Sequence, residues 1–218
     1  MVLSSRVSDG AVLVSILVAA LLPVSTAEAN AIVNGDFSAG NTGFSSDYIH
    51  VQPPVAENMV EARYTVWTDP NDVHSKWVSM GDHTTGTGKM LIANGAGSAN
   101  TLIWSQDVML STGTTYQFSA WATGVYSSMP AHLSFDIGEI SLGTLPLTET
   151  VPDWIPFTRE FTVLTGGPAQ LAIRDLETIS IGNDFALDDI SLTIIPEPTI
   201  FHLVWSMLGM LIFFRCRR

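Results

Sequence analysis

Phe185-Ala186-Leu187-Asp188-Asp189-Ile190-Ser191-Leu192-Thr193-Ile194 is the stretch that decides the fold. Phe185 and Leu187 place apolar side chains at odd positions. Ile190, Leu192 and Ile194 place them at even positions. A strand alternates its side chains between two faces, so one buried face demands constant parity. The parity flips across Asp188-Asp189. A strand over 184–194 can keep one face buried only by inserting an extra residue there, which predicts a β-bulge. Bulges re-aim side chains, and the ones re-aimed here are two carboxylates.

Working outward, the same short alternating runs recur from Ile32 onward, separated by Gly, Pro, Asn, Asp and Thr clusters. That pattern predicts an all-β sandwich, with strands near 31–34, 47–51, 59–67, 75–80, 89–93, 101–110, 114–122, 131–137, 139–142, 156–163, 169–175 and 184–194. Tyr116, Phe118 and Ala120 share one strand face, and Gln117, Ser119 and Trp121 the other. Leu133, Phe135 and Ile137 likewise oppose His132, Ser134 and Asp136. The run Gly81-Asp82-His83-Thr84-Thr85-Gly86-Thr87-Gly88 reads as a loop whose Asp and Thr side chains satisfy its own backbone.

The first strand ends Val33-Asn34-Gly35-Asp36-Phe37, and the last carries Leu187-Asp188-Asp189-Ile190. This pair of ends resembles the galactose-binding-like jelly rolls, including carbohydrate-binding modules that open with Asn-Gly-x-Phe-Glu and close with an Asp-Asp-hydrophobic strand. The resemblance implies a single jelly-roll β-sandwich over 32–195 with its first and last strands side by side. It also implies a structural Ca²⁺ between those ends, held in part by Asp36 with Asp188 or Asp189. The Glu that follows the Phe in that pattern is Ser38 here.

Between Ile32 and Ile195 there are 5 Lys and Arg against 18 Asp and Glu, a net charge of −13. Such a surface repels phosphate backbones and anionic lipid, which excludes a nucleic-acid partner. The one cysteine, Cys216, lies outside this stretch, so the domain has no disulfide and no thiol nucleophile. No nucleophile elbow, zinc-protease helix or phosphate-binding glycine loop is present, and the histidines show no metal-ligand spacing. The expectation is a protein without catalysis.

Sugar binding suits the composition better. Pyranose rings stack their C–H faces on aromatic rings, while their hydroxyls need placed polar partners. Trp121 with Gln117, and His132 with Asp136, face away from the aliphatic core and are the candidate carbohydrate contacts. A structural matrix protein would instead bury all five tryptophans of 32–195. A glycoside hydrolase would need two facing carboxylates in an open cleft.

The two ends read as addresses. Residues 1–31 carry Arg6, an apolar run from Ala11 to Leu22, and small residues at 27, 29 and 31. That is a signal peptide, with the mature chain beginning at Asn30 or Ile32. Residues 196–218 read Pro196-Glu197-Pro198, an uncharged run over 199–214, then Arg215, Cys216, Arg217 and Arg218. A helix over 199–214 rises about 24 Å, a short span for a bilayer core of about 30 Å, with the arginines kept cytoplasmic. The three parts in this order resemble the PEP-CTERM sorting signal of Gram-negative bacteria. The resemblance implies export through the inner membrane, transient anchoring by 199–214, and recognition by an exosortase. The cell surface or an exopolysaccharide-rich biofilm matrix is the implied destination.

Overall fold

The computed structural model describes residues 29–53 and 58–196. Most of the expected signal peptide (1–31) and of the expected sorting signal (196–218), with the expected transmembrane run over 199–214, lies outside the described residues. The described chain forms ten strands in two packed sheets. They are β1 (Ile49–His50), β2 (Arg63–Trp67), β3 (Met90–Asn94), β4 (Thr101–Leu110), β5 (Thr115–Gly124), β6 (His132–Ile137), β7 (Ile140–Pro146), β8 (Ile155–Thr162), β9 (Gly167–Asp175) and β10 (Asp184–Ile194). One sheet runs β1-β2-β3-β10-β5-β8 and the other β4-β9-β6-β7. All pairings are antiparallel except the short parallel contact of β1 with β2.

Alternation along the strands builds the layer between the sheets. Phe118 of β5, Phe135 of β6 and Phe185 of β10 are fully buried there with Trp104, Leu133 and Ile173. Phe135 and Phe157 stack across the layer at 4.0 Å. Side chains of this size contribute about 1.5–3 kcal/mol each when buried, which makes this layer the main stabilising element.

β3 departs from simple alternation. Met90, Leu91, Ile92 and Ala93 are all buried. Leu91 and Ala93 face the inter-sheet layer, while Met90 and Ile92 face outward into a second cluster with Val73, Trp77, Val125 and Ala186. A run without polar interruptions must be covered on both faces. The cover is the segment 68–89, which crosses the outer face of the six-stranded sheet over β3 and half of β10. Residues 75–80, expected as a strand, belong to this irregular cover, anchored by Trp77 and by Val78 N–H donating to Val125 O (3.0 Å).

The opening segment is also not a strand. Asn34 and Phe37 have φ of 57° and 52°, and 31–34 is bent rather than extended. It nevertheless runs beside the last strand, as the end motifs implied. Ala31 N–H donates to Leu192 O (2.8 Å), and Ile190 N–H donates to Gly35 O (2.9 Å). The approach at Gly35 is so close that a Cβ there would stand 1.9 Å from Ile190 O. Gly35→Ala must push two backbones apart. We expect a loss of about 2 kcal/mol in urea unfolding; a midpoint within error of wild type would show that this crossing yields freely.

Candidate functional site

β10 contains the extra residue. Asp188 pairs with Trp121 and Ser191 with Ser119, so Asp189 and Ile190 together face the single residue Ala120 of β5. Asp189 has φ of 49°, the left-handed conformation that a bulge of this kind needs and that Asp tolerates better than most residues. The bulge keeps Leu187 and Ile190 both in the core. It also turns the two carboxylates toward the loop 81–88.

Asp188 is fully buried and acts as an acceptor for that loop. Its Oδ2 accepts from the N–H of His83 (2.9 Å) and Thr84 (3.0 Å) and lies 3.0 Å from the Thr84 hydroxyl. Its Oδ1 accepts from Asp189 N–H (2.9 Å). Burial pushes its pKa up to about 6, although the loop N–H donors pull the other way. Asp189 takes the side chains: its Oδ2 lies 2.6 Å from His83 Nδ1, and its Oδ1 lies 2.6 Å from Thr84 Oγ1. The loop itself is closed by Asp82, which accepts from Thr85 N–H (3.0 Å) and Gly88 N–H (2.7 Å). The self-satisfied loop expected from the sequence is present, with a second anchor on the bulge that the sequence did not show.

Held from below by Asp189, the His83 ring stacks on Trp121, with centroids 3.8 Å apart and planes 18° from parallel. Trp154 meets His83 edge-on at 5.8 Å. Trp121 in turn walls an open depression of about 490 Å³ between the bulge and the N-terminal segment. Ser119, Ser191, Asp189, Asn34 and Asp36 supply polar groups to it. The result is a half-exposed indole fixed in orientation beside several hydroxyl, amide and carboxylate groups.

The four candidate carbohydrate residues do not form one surface. Gln117 and Trp121 lie on the outer face of the six-stranded sheet, in β5. His132 and Asp136 lie on β6, on the outer face of the four-stranded sheet, with the core between the two pairs. Both pairs point outward as their parity requires, but on opposite sides of the molecule. Of the five tryptophans, Trp77 and Trp104 are buried, while Trp67, Trp121 and Trp154 are half-exposed.

The structure brings Asp36, Asp188 and Asp189 to the same neighbourhood, but not into a calcium cradle. Ca²⁺ takes 6–8 oxygen ligands. Asp188 and Asp189 already serve as acceptors for His83 and Thr84, and exposed Asp36 accepts from Ser38 N–H and Oγ. Among the described residues, no group of three or more His, Cys, Asp or Glu side chains is placed to hold a metal ion. These residues, as arranged, do not fit that ion.

No protein-family model matches the chain, and no curated protein matches it. Solved structures do. The Stig cyclase Fisc from Fischerella sp. TAU superposes with a TM-score of 0.56 at 15% identity, covering 79% of this chain and 100% of that one. TmCBM61, solved in complex with beta-1,4-galactotriose, gives 0.50 at 14% identity, covering 77% and 99%. The CBM22-1-CBM22-2 tandem domain of Paenibacillus barcinonensis Xyn10C gives 0.50 at 13%, covering 80% of this chain and 48% of that one. The chain is thus a two-sheet β-sandwich distantly similar in fold to carbohydrate-binding modules and to Stig cyclases. At these identities the likeness is one of fold.

Proposed function

We propose that this chain is an exported protein whose sandwich, of jelly-roll type, associates with polysaccharide without catalysing a reaction on it. The observation that carries the reading is the depression beside the bulge, where Trp121 is braced by His83 and surrounded by Ser119, Ser191, Asn34 and Asp36. His83 covers one face of the indole and fixes it, so the part of the ring that walls the depression is presented at little cost in side-chain entropy. The neighbouring hydroxyl, amide and carboxylate groups are the partners that sugar hydroxyls require. Half-exposure of three of the five tryptophans favours this over a purely structural role, which would bury them. The carbohydrate-binding modules of similar fold support the class of ligand.

A glycan array followed by titration of the retained glycans tests it. Trp121→Ala is expected to weaken binding roughly tenfold or more, since an aromatic contact contributes on the order of 1–2 kcal/mol. Retention of no glycan, or unchanged affinity in the variant, would sink the reading.

Export and sorting form the second half of the proposal. The signal at 1–31 delivers the chain across the inner membrane, and an exosortase recognises Pro196-Glu197-Pro198 with the run 199–214 and the arginines at 215, 217 and 218. β10 ends at Ile194, and Ile195 N–H still donates to Thr115 O (2.8 Å), so almost no linker separates the folded domain from the tail. An uncleaved tail would hold 13 net negative charges against anionic lipid, which favours a transient anchor and release to the surface or matrix. Fractionation and C-terminal mass in strains with and without an exosortase test this; the same mass and lasting inner-membrane residence in both would remove it.

A further inference from the structure

At the far end of the same sheet face, where β10 begins, a second cavity of about 570 Å³ opens beside Asp184. It differs in kind from the depression at the bulge. Its wall contains a stacked aromatic pair, His74 on Trp77, with centroids 4.6 Å apart at 22°. Tyr126 adds a half-exposed ring, and Val60 and Ile181 form an exposed apolar rim.

Asp184 is the buried group in this wall, only 7% exposed. Its Oδ2 accepts from Trp77 Nε1 (3.0 Å). Its Oδ1 is enclosed and finds no partner with hydrogen-bond geometry among the described residues. Burial pushes its pKa up to about 6, against the pull of the Trp77 and Gly95 N–H groups, so at neutral pH it is mostly a carboxylate. A buried carboxylate with an idle oxygen is costly, and such exceptions in native structures call for a reason.

The charges around the cavity do not cancel. Glu61 and Asp184 are negative and Lys76 is positive. His74 is held toward its neutral form, because burial and Lys76 both lower its pKa. One negative charge is left over, next to aromatic rings. Anions are disfavoured by that sign. A hard metal ion would need more oxygen ligands than the described wall supplies. The half-exposed Tyr126 ring beside an uncompensated carboxylate supplies what recognises an organic cation, through cation–π attraction and the field of the enclosed Asp184 charge rather than a direct bond to it.

We propose that this cavity binds a small organic cation: a primary ammonium on a ring-shaped or short apolar body, its charge directed to the Asp184 side and its body against Tyr126 and Ile181. The proposal does not rest on the sugar reading of the bulge. Isotope-labelled protein titrated with benzylamine and with glucosamine tests it, using benzyl alcohol and glucose as uncharged counterparts and following the amide signals of Tyr126, Ile181 and Asp184. Both amines should move these signals, with affinity roughly tenfold or more above their uncharged counterparts. Asp184→Asn, which can still accept from Trp77, should remove that preference. Tyr126→Ala, at a half-exposed position, should weaken amine binding while the fold persists, and it decides the matter if Asp184→Asn fails to fold. Trp121→Ala should bind the amines as wild type does, even where it has lost glycans. Signals unmoved by either amine, uncharged compounds binding as well as the amines, or Tyr126→Ala binding as tightly as wild type would overturn the proposal. Those outcomes point to an ordered water as the partner of Asp184.

Discussion

Asp188→Ala lowers the stability of the domain by about 3 kcal/mol and frees the loop 81–88 from the sheet. The carboxylate receives the N–H groups of His83, Thr84 and Asp189 and sits beside the Thr84 hydroxyl, all at 2.9–3.0 Å. Removing the acceptor leaves these donors without their partner at a part-buried site, at roughly 1–3 kcal/mol for each that water fails to reach. The loss is tempered because a buried charge disappears with the side chain. For a domain of this size, ~3 kcal/mol corresponds to a fall in Tm of roughly 6–12 °C. Hydrogen exchange gives a local readout: the amides of His83 and Thr84 should lose protection in the variant while those of β5 and β6 keep theirs. Unchanged Tm together with protected loop amides would show that Asp188 does not tie the loop down. Because His83 braces Trp121, the variant should also lose glycan affinity, although it removes nothing that walls the depression.

That linkage explains what the sequence could and could not show. The bulge was legible from parity alone, and it falls where Phe185, Leu187, Ile190 and Leu192 required it. Local chemistry was legible too: Asp82 closes its loop by hydrogen bonds three to six residues away. The contact of His83 with the bulge spans more than a hundred residues, and no local pattern encodes it. Parity assigned Trp121 and His132 each to an outer face, but it cannot say which sheet a strand joins. That is decided by long-range pairing, here of β5 with β10 and β8, and of β6 with β9 and β7. The cover over β3 did leave a trace. Met90-Leu91-Ile92-Ala93 has no alternation, which means burial on both faces. Residues 75–80, one of the short runs expected as strands, do not pair with either sheet. Trp77 is instead an apolar peg of that cover, and the irregular backbone around it is satisfied by side chains, as where Asn71 Nδ2 donates to Trp77 O (2.9 Å).

The buried acids also set an unusual dependence on pH. Asp184 and Asp188 both have pKa values raised to about 6, chiefly by burial, and burial raises Asp175 as well. In the unfolded chain an aspartate titrates near 3.9. Between about pH 4 and 6 the folded state therefore binds protons that the unfolded state does not, so stability falls as pH rises through this window. Each unit of difference amounts to ~1.4 kcal/mol, which makes the two acids together an effect of several kcal/mol. His50 and His74 oppose it. Burial lowers their pKa values, so acidification costs the folded state some stability through them, but both are half-exposed and contribute less. Relief of repulsion among the domain's acidic side chains acts in the same direction as the buried aspartates. The expected result is a higher Tm at pH 5 than at pH 7, the reverse of ordinary acid destabilisation. Urea unfolding at intervals of pH across this range measures it. Asp188→Asn removes one titrating group and should flatten the profile by about half of the aspartate contribution. A wild-type domain that loses stability steadily from pH 7 to pH 5 would show that the buried carboxylates are not held in the raised state their surroundings dictate.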